Sequence, residues 1–386
     1  MRRIYLDHTA TTPLDPRVME AMLPFFSETF GNASSIHGFG REAKSALEQA
    51  RDTIARCIGA ESGELFFTSG GTEADNFAIR GTAIAAGARG KSHLVTSAAE
   101  HHAVLEPCEA LATEGFKVTT LEVDEYGAVT PDALRDALTS STSLVSIMHA
   151  NNEVGTISAI AELASIAHAS GAIFHTDAVQ TLGKLPLNVN DIGVDLMTIS
   201  AHKVYGPKGI GALYVRRGTQ IDPLFHGGGQ ERGKRPGTEN VPLAVGFARA
   251  VQISVSEMRD EAGRLMKLRD ELEQRIRAEY PAVIVNGHPV DRLPHILSVS
   301  FDSAKIQLEG EMLVVNMDLR GIAVSSGSAC TSGSIQPSHV LLAMGRDART
   351  AKATIRFSFG KRNTPDDVGA AVDALGDVLK QMTGRR

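Results

Sequence analysis

Between Glu64 and Arg217 short apolar runs alternate with amphipathic stretches, and no other feature limits the possible folds of this chain as much. "ELFFTSG" precedes "TEADNFAIRGTAIAA", "SHLVTSA" precedes "HHAVLEPCEALATEG", "SLVSIMH" precedes "ISAIAELASIAHASG", and "AIFHTDA", "VDLMTIS" and "GALYVRR" follow. Strand followed by helix, several times over, predicts an α/β fold whose mostly parallel sheet is covered on both faces. Ligands of such sheets sit beyond the carboxyl ends of the strands. The segments found there, "TSGGTE", "SAAEHH", "MHANNE", "HTDAVQ" and "SAHKVYG", carry small, polar and ionisable residues directly after apolar runs. A charged helical stretch from about Val241 to Tyr280 then leads to a C-terminal part. In it "HILSVSFD" and "TIRFSFG" read as strands, and "LEGEMLVVNMDLRG" and "PDDVGAAVDALGDVLKQM" as helices, which predicts a smaller α+β unit.

Charge excludes some partners. The chain has 39 basic and 45 acidic side chains, a balance of −6, with no long run of either sign. That is no footprint for nucleic acid or an anionic membrane, so a small or diffusing substrate is expected. The start, "MRRIYLDHTATTPLDP", places Asp7, His8 and Pro13 where a signal peptide needs apolar residues, and no later run reaches membrane-spanning length. The expectation is a soluble, cytoplasmic protein.

The three cysteines, an odd number without CxxC spacing, predict no disulfide framework. Cys57 in "TIARCIG" and Cys108 in "VLEPCEAL" lie in helical apolar patterns and are expected in the core. Cys330 lies instead in "SSGSACTSG", a run with loop composition, and is expected to be exposed. No metal site is expected, because "HTD" and "HH" lack HExxH or regular His/Cys spacing.

The most informative segment is "SAHKVYGPKGIG", in which Lys203 follows a strand and precedes Gly206 and Pro207. An isolated lysine in a turn is ordinarily solvated, but this one has suitable company. A lysine that anchors pyridoxal phosphate needs a carboxylate for the pyridine nitrogen and a phosphate cradle on the same sheet edge. Asp177, after the strand "AIF", would come beside Lys203 if the two strands were adjacent and parallel; otherwise it is a helix N-cap. "TSGGTEADN" offers glycines for close backbone approach, then Thr72 opening a helix whose free N–H groups attract a phosphate. His101 in "AEHHAV" either caps a helix or lies on a cofactor ring and moves a proton.

Taken in order, the motifs "YLDHTATTPLDPRV", "TSGGTEADN", "AEHHAVL", "MHANNEVGT", "HTDAVQTLGK", "SAHKVYGPKGIG", "HGGGQERGKRPGTENV", "SSGSACTSG" and "IRFSFG" cover essentially the whole chain. The chain resembles the cysteine desulfurases, pyridoxal-phosphate enzymes that supply sulfur for iron-sulfur cluster assembly and tRNA thiolation. The resemblance implies an aspartate-aminotransferase-like α/β fold (PLP fold type I) working as a homodimer. It also implies a large cofactor-binding domain over residues 13–255, with a small domain from 1–12 and 256–386 that carries the catalytic cysteine. Lys203 would be the covalent anchor, His101 would stack on the pyridine ring, Asp177 would pair with the pyridine nitrogen and Gln180 with the ring hydroxyl. Gly71, Thr72, Ser200 and His202 would hold the phosphate, joined by Thr238 of the partner subunit. Asn152 and Arg356 would hold the carboxylate of L-cysteine, since a planar guanidinium matches a carboxylate bidentately.

The nucleophile matches Cys330, and the long "SSGSACTSG" form resembles the branch with a mobile loop. The thiol would take the substrate's sulfur as a persulfide, leave L-alanine, and pass the sulfur to an acceptor such as an iron-sulfur scaffold or a tRNA-thiolation protein. A selenocysteine lyase or a class V aminotransferase on the same scaffold is the alternative, although transamination has no need of a thiol. A catalytically silent assembly platform is a third reading, opposed by intact Lys203, Asp177 and Cys330. The chain departs from the family pattern at "LDHTATT" and at Ala33 in "GNASS", and His8 and Thr9 are expected to bear on the active-site entrance. The chain stops at "GRR", so no longer tail for scaffold docking is expected.

Overall fold

The computed structural model describes residues 2–88, 90–306, 308–326 and 336–384. Its strands, in chain order, are β1 (Ile4–Tyr5), β2 (Leu65–Thr68), β3 (His93–Ser97), β4 (Lys117–Leu121), β5 (Thr142–Ser146), β6 (Ile173–Asp177), β7 (Leu196–Ser200), β8 (Gly211–Val215), β9 (Val283–Asn286), β10 (Ile296–Phe301), β11 (Ile322–Ala323) and β12 (Thr354–Ser358). Seven form one sheet in the order β2-β8-β7-β6-β5-β3-β4. The expected parallel pairing holds from β4 through β7. β8 runs antiparallel to both its neighbours. Its connection from β7 contains only a short 3-10 turn, Ala201–Lys203, and no crossover helix, so the chain returns beside the strand it just left.

β3, β5 and β7 are buried along their whole length, as strands covered on both faces must be. β4, at the sheet edge, is half exposed and reads "KVTTL", too polar to stand out as an apolar run. Sequence patterning misses it for that reason, and it misses the short β9 as well.

The charged stretch forms one 39-residue helix, Val241–Glu279, started by the Asn240 side chain accepting from the Leu243 N–H. Its first half, including Ala244, Phe247 and Val251, enters the core beneath the seven-stranded sheet. Leu265, Leu268, Leu272 and Ile276 enter a second core with Val299, Ile355, Phe357 and Leu375. That second core lies under the three-stranded sheet β12-β10-β9 and the helices Gly310–Leu319 and Pro365–Thr383. Ile4 and Leu6 belong to it too, since β1 pairs with β11. Cys108 is buried, as expected, and burial pushes its thiol up to about 12. Cys57 is only half-buried at the end of the helix Gly38–Cys57. No described helix is long and apolar enough to cross a membrane.

Candidate active site

Lys203 leaves β7 through the 3-10 turn, which aims it back over the carboxyl edge of the sheet. Its Nζ donates to the backbone carbonyls of Thr9, at 2.5 Å, and Ala10, at 2.8 Å. Burial first, then the nearby Arg356 charge, lower its pKa to about 8 against the pull of Asp177 and Asp7. A lysine so placed has a usable fraction of neutral amine near neutral pH, which is the nucleophilic and basic form.

Asp177 closes β6, and the parallel register sets it opposite Thr198 on β7. The carboxylate and the lysine therefore share one edge, as the spacing of the two motifs predicts. Asp177 is buried, and its Oδ1 accepts from the Val179 N–H at 2.8 Å. Burial raises its pKa to about 6, opposed by that N–H and by Lys203. A carboxylate this enclosed favours a cationic partner.

The cradle begins at Gly70, which caps the helix Gly71–Gly87 without any side-chain acceptor. The first-turn N–H groups lack intrahelical partners and point at whatever lies beyond the helix end. A Cβ on Gly71 would come within 3.1 Å of Val179 Cγ2 and 3.8 Å of Ser200 Cβ, so glycine lets the helix start sit close against the strand ends. Thr72, Ser200, His202 and Lys208 line a cavity of about 460 Å³ at this point. Ser200 Oγ is buried with no hydrogen-bond partner. His202 Nδ1 lies 3.1 Å from Thr11 Oγ1, and burial, followed by the charges of Lys203, Lys208 and Lys184, lowers its pKa to about 4.

Gln180 Nε2 donates to the Thr9 carbonyl at 3.1 Å, while its buried Oε1 is without a partner. His101 caps the helix His102–Thr113, Nδ1 accepting from the Ala103 N–H at 3.1 Å. The capping reading holds. Nδ1 is occupied, and Nε2 carries the proton of the neutral ring. The residue is exposed and lines an open cavity, and desolvation by the surrounding protein, then the Lys203 and His102 charges, lower its pKa against the pull of Glu106.

Arg356, on β12, is buried and donates to the Asn152 carbonyl and to Asp7 Oδ1, both at 2.9 Å, leaving Nε unpaired. Its backbone pairs with Ser325, the stem of the segment that leads to Cys330. Cys330 itself lies outside the described residues. Thr238 is exposed and lines a neighbouring cavity with Ser69 and Gly209, not the one that holds Thr72 and Ser200.

His8 is buried, with its ring packed on Gly360, where a Cβ would lie 2.2 Å away. Thr9 bears on the site through its carbonyl, shared by Lys203 and Gln180. Sequence reasoning misses Asp75 and Glu100, two carboxyl groups beside Asp177 whose pKa values are raised first by burial and then by the Asp177 charge. The signal for Asp75 is an acid on the apolar face of a helix, between Ala74 and Phe77.

The donor set fits pyridoxal phosphate. Ser200 Oγ beside the open amides suits a phosphate, Gln180 Oε1 suits a ring hydroxyl, and the buried Asp177 suits a protonated ring nitrogen.

Residues 4–370 match the aminotransferase class-V family model. Over 381 residues, 99% of this chain and 95% of the relative, the chain is 50% identical to the cysteine desulfurase IscS of Dictyoglomus turgidum. A solved NifS-like protein superposes with a TM-score of 0.91 at 40% identity, over 98% of this chain and all of that one. SspA, solved in complex with cysteine, superposes with a TM-score of 0.81 at 38% identity, over 92% of this chain and 98% of that one.

Proposed function

The chain belongs to the aminotransferase class-V family, has the PLP type I fold and is a pyridoxal-phosphate-dependent cysteine desulfurase, and from that premise we propose the roles of its residues and the route of the sulfur. The observation that carries the assignment is the gathering of Lys203, Asp177, Ser200 and the Gly71–Thr72 helix start on one sheet edge. When bound, pyridoxal phosphate supplies an electron sink that loosens the α-proton of cysteine and then its carbon–sulfur bond.

Lys203 Nζ would anchor the cofactor and, as a free amine, would take the proton from the α-carbon of cysteine. Asp177 keeps a proton on the pyridine nitrogen. Ser200, His202, Gly71 and Thr72 hold the phosphate, with Thr238 of the partner subunit, and Gln180 holds the ring hydroxyl. Arg356 and Asn152 orient the substrate carboxylate. His101 would stack on the ring, leaving its Nε2 to move a proton. Cys330 Sγ attacks the substrate sulfur: a sulfur–sulfur bond forms, the carbon–sulfur bond breaks with its electron pair staying on the β-carbon, which takes up a proton, and Lys203 returns a proton to the α-carbon to complete L-alanine. The persulfide on Cys330 then passes its outer sulfur to an acceptor for cluster assembly or thiolation.

We place the cofactor domain at 13–255 and the small domain at 1–12 with 256–386, in a cytoplasmic homodimer. Support for the dimer comes from large apolar side chains left exposed near the N-terminus, among them Leu23, Phe26, Phe30, Ile36 and Phe39.

Asp177→Asn is expected to keep the fold and the melting temperature while lowering turnover of L-cysteine by about a hundredfold or more, the order lost with one electrostatic stabiliser. The amide cannot keep the ring nitrogen protonated. Alanine release by the purified variant at near the wild-type rate would assign that task elsewhere.

A further inference from the structure

The phosphate cradle contains an acid in the wrong place. Glu73 stands in the first turn of the helix Gly71–Gly87 and lines the same cavity as Thr72, Ser200 and His202. A carboxylate there stabilises the helix end, but it repels the dianionic phosphate that the cradle is to hold. Glu73 Oε2 is fixed by the Ser69 N–H at 2.9 Å, so it cannot simply turn away.

Arg235 meets it. The guanidinium clasps the carboxylate from Nε at 2.7 Å and from NH2 at 3.1 Å, and both side chains are part-buried. Such a bidentate pair in a partly dry setting cancels charge more fully than a solvated one. Arg235 is itself held in a rigid segment. Four residues earlier Glu231 is buried, with its carboxylate clasped by Arg51 at 2.7 Å on both oxygens and accepting the Phe67 N–H of β2 at 3.0 Å. Glu231 and Arg232 have left-handed φ values of 45° and 57°, a conformation that persists only where the surroundings enforce it.

We propose that Arg235 is a positioning residue for the cofactor, whose task is to neutralise Glu73 so that the cradle presents N–H groups and hydroxyls to the phosphate without a competing negative charge. The inference rests on the reading of the site as a pyridoxal-phosphate site. It makes a sharp demand: losing Arg235 harms phosphate binding only while Glu73 keeps its charge.

The test is the dissociation constant of full-length apoprotein for pyridoxal phosphate and for pyridoxal, which lacks the phosphate. Arg235→Gln is expected to weaken pyridoxal phosphate about tenfold or more and to leave pyridoxal within about twofold, since only the phosphorylated form meets the uncovered carboxylate. Glu73→Gln with Arg235→Gln is expected to return pyridoxal phosphate to within about threefold of the wild type, because glutamine still accepts the Ser69 N–H without the charge. If Arg235→Gln does not fold, Glu73→Gln alone carries the test, with binding expected at least as tight as in the wild type and less dependent on Arg235→Lys. Equal weakening of both ligands, or no recovery in the double variant, would make Arg235 merely structural and overturn the proposal. Failure of the wild type to bind pyridoxal phosphate would instead overturn the reading of the site.

Discussion

Lys203→Ala is expected to lower turnover of L-cysteine by a factor on the order of 10⁴ or more, with little change in melting temperature. A positioned acid or base alone contributes about 10²–10⁴, and this substitution removes the base together with the covalent anchor. The amine is partly buried but donates only to two carbonyls of the 9–10 segment, so its loss opens no apolar cavity in either core. Pyridoxal phosphate is still expected to bind, held by the phosphate cradle and Asp177. The check is alanine release over time beside a cofactor-binding titration. Residual turnover above about a hundredth of the wild type would mean that another amine can serve.

Cys330→Ser is expected to bind L-cysteine and cofactor as the wild type does, yet to form no persulfide and to release alanine at least about a hundredfold more slowly. A hydroxyl is a far weaker nucleophile toward sulfur than a thiolate, which is the reactive form of cysteine. Cys57→Ser and Cys108→Ser are the controls. The Cys108 thiol is buried and pushed up to about 12, so it has no thiolate to offer, and its replacement is expected to lower stability and spare the chemistry. Mass spectrometry of unreduced peptides, with alanine quantified in parallel, separates the cases. Full alanine production by Cys330→Ser would favour a lyase that releases sulfur directly.

The fold was legible where burial is continuous. β3, β5 and β7 are covered on both faces, so their sequences are plain apolar runs, whereas β4 is half exposed and its threonines hide it. The bridging helix was legible to within a residue at its end, because its charged outer face and apolar inner face repeat at helical spacing. The Lys203–Asp177 neighbourhood followed from motifs placed after successive parallel strands, and the register of β6 with β7 bears out that proximity. What stayed hidden depends on long-range folding. Thr9 and Ala10 supply the carbonyls that hold the Lys203 amine, and Asp7 supplies the partner of Arg356, from a segment nearly two hundred and three hundred and fifty positions away respectively. His8 shows the converse: its neighbours in sequence reach the site, while its own ring is turned into the packing against Gly360.

Lys203 also has competitors. Lys184 donates from Nζ to the Lys203 carbonyl at 2.9 Å, and burial, with the Lys203 charge, lowers its pKa to about 7. Lys208 is exposed and lines the cradle cavity. Both are amines close to the same edge, so neither burial nor a depressed pKa alone distinguishes the anchor. The distinction rests on position: Lys203 follows β7 directly beside the end of β6, where Asp177 sits. Borohydride reduction of the holoenzyme followed by peptide mapping tests this most directly. Cofactor is expected on Lys203, in the peptide that contains "SAHKVYG"; cofactor fixed to Lys184, Lys208 or any other lysine would overturn the assignment of the site.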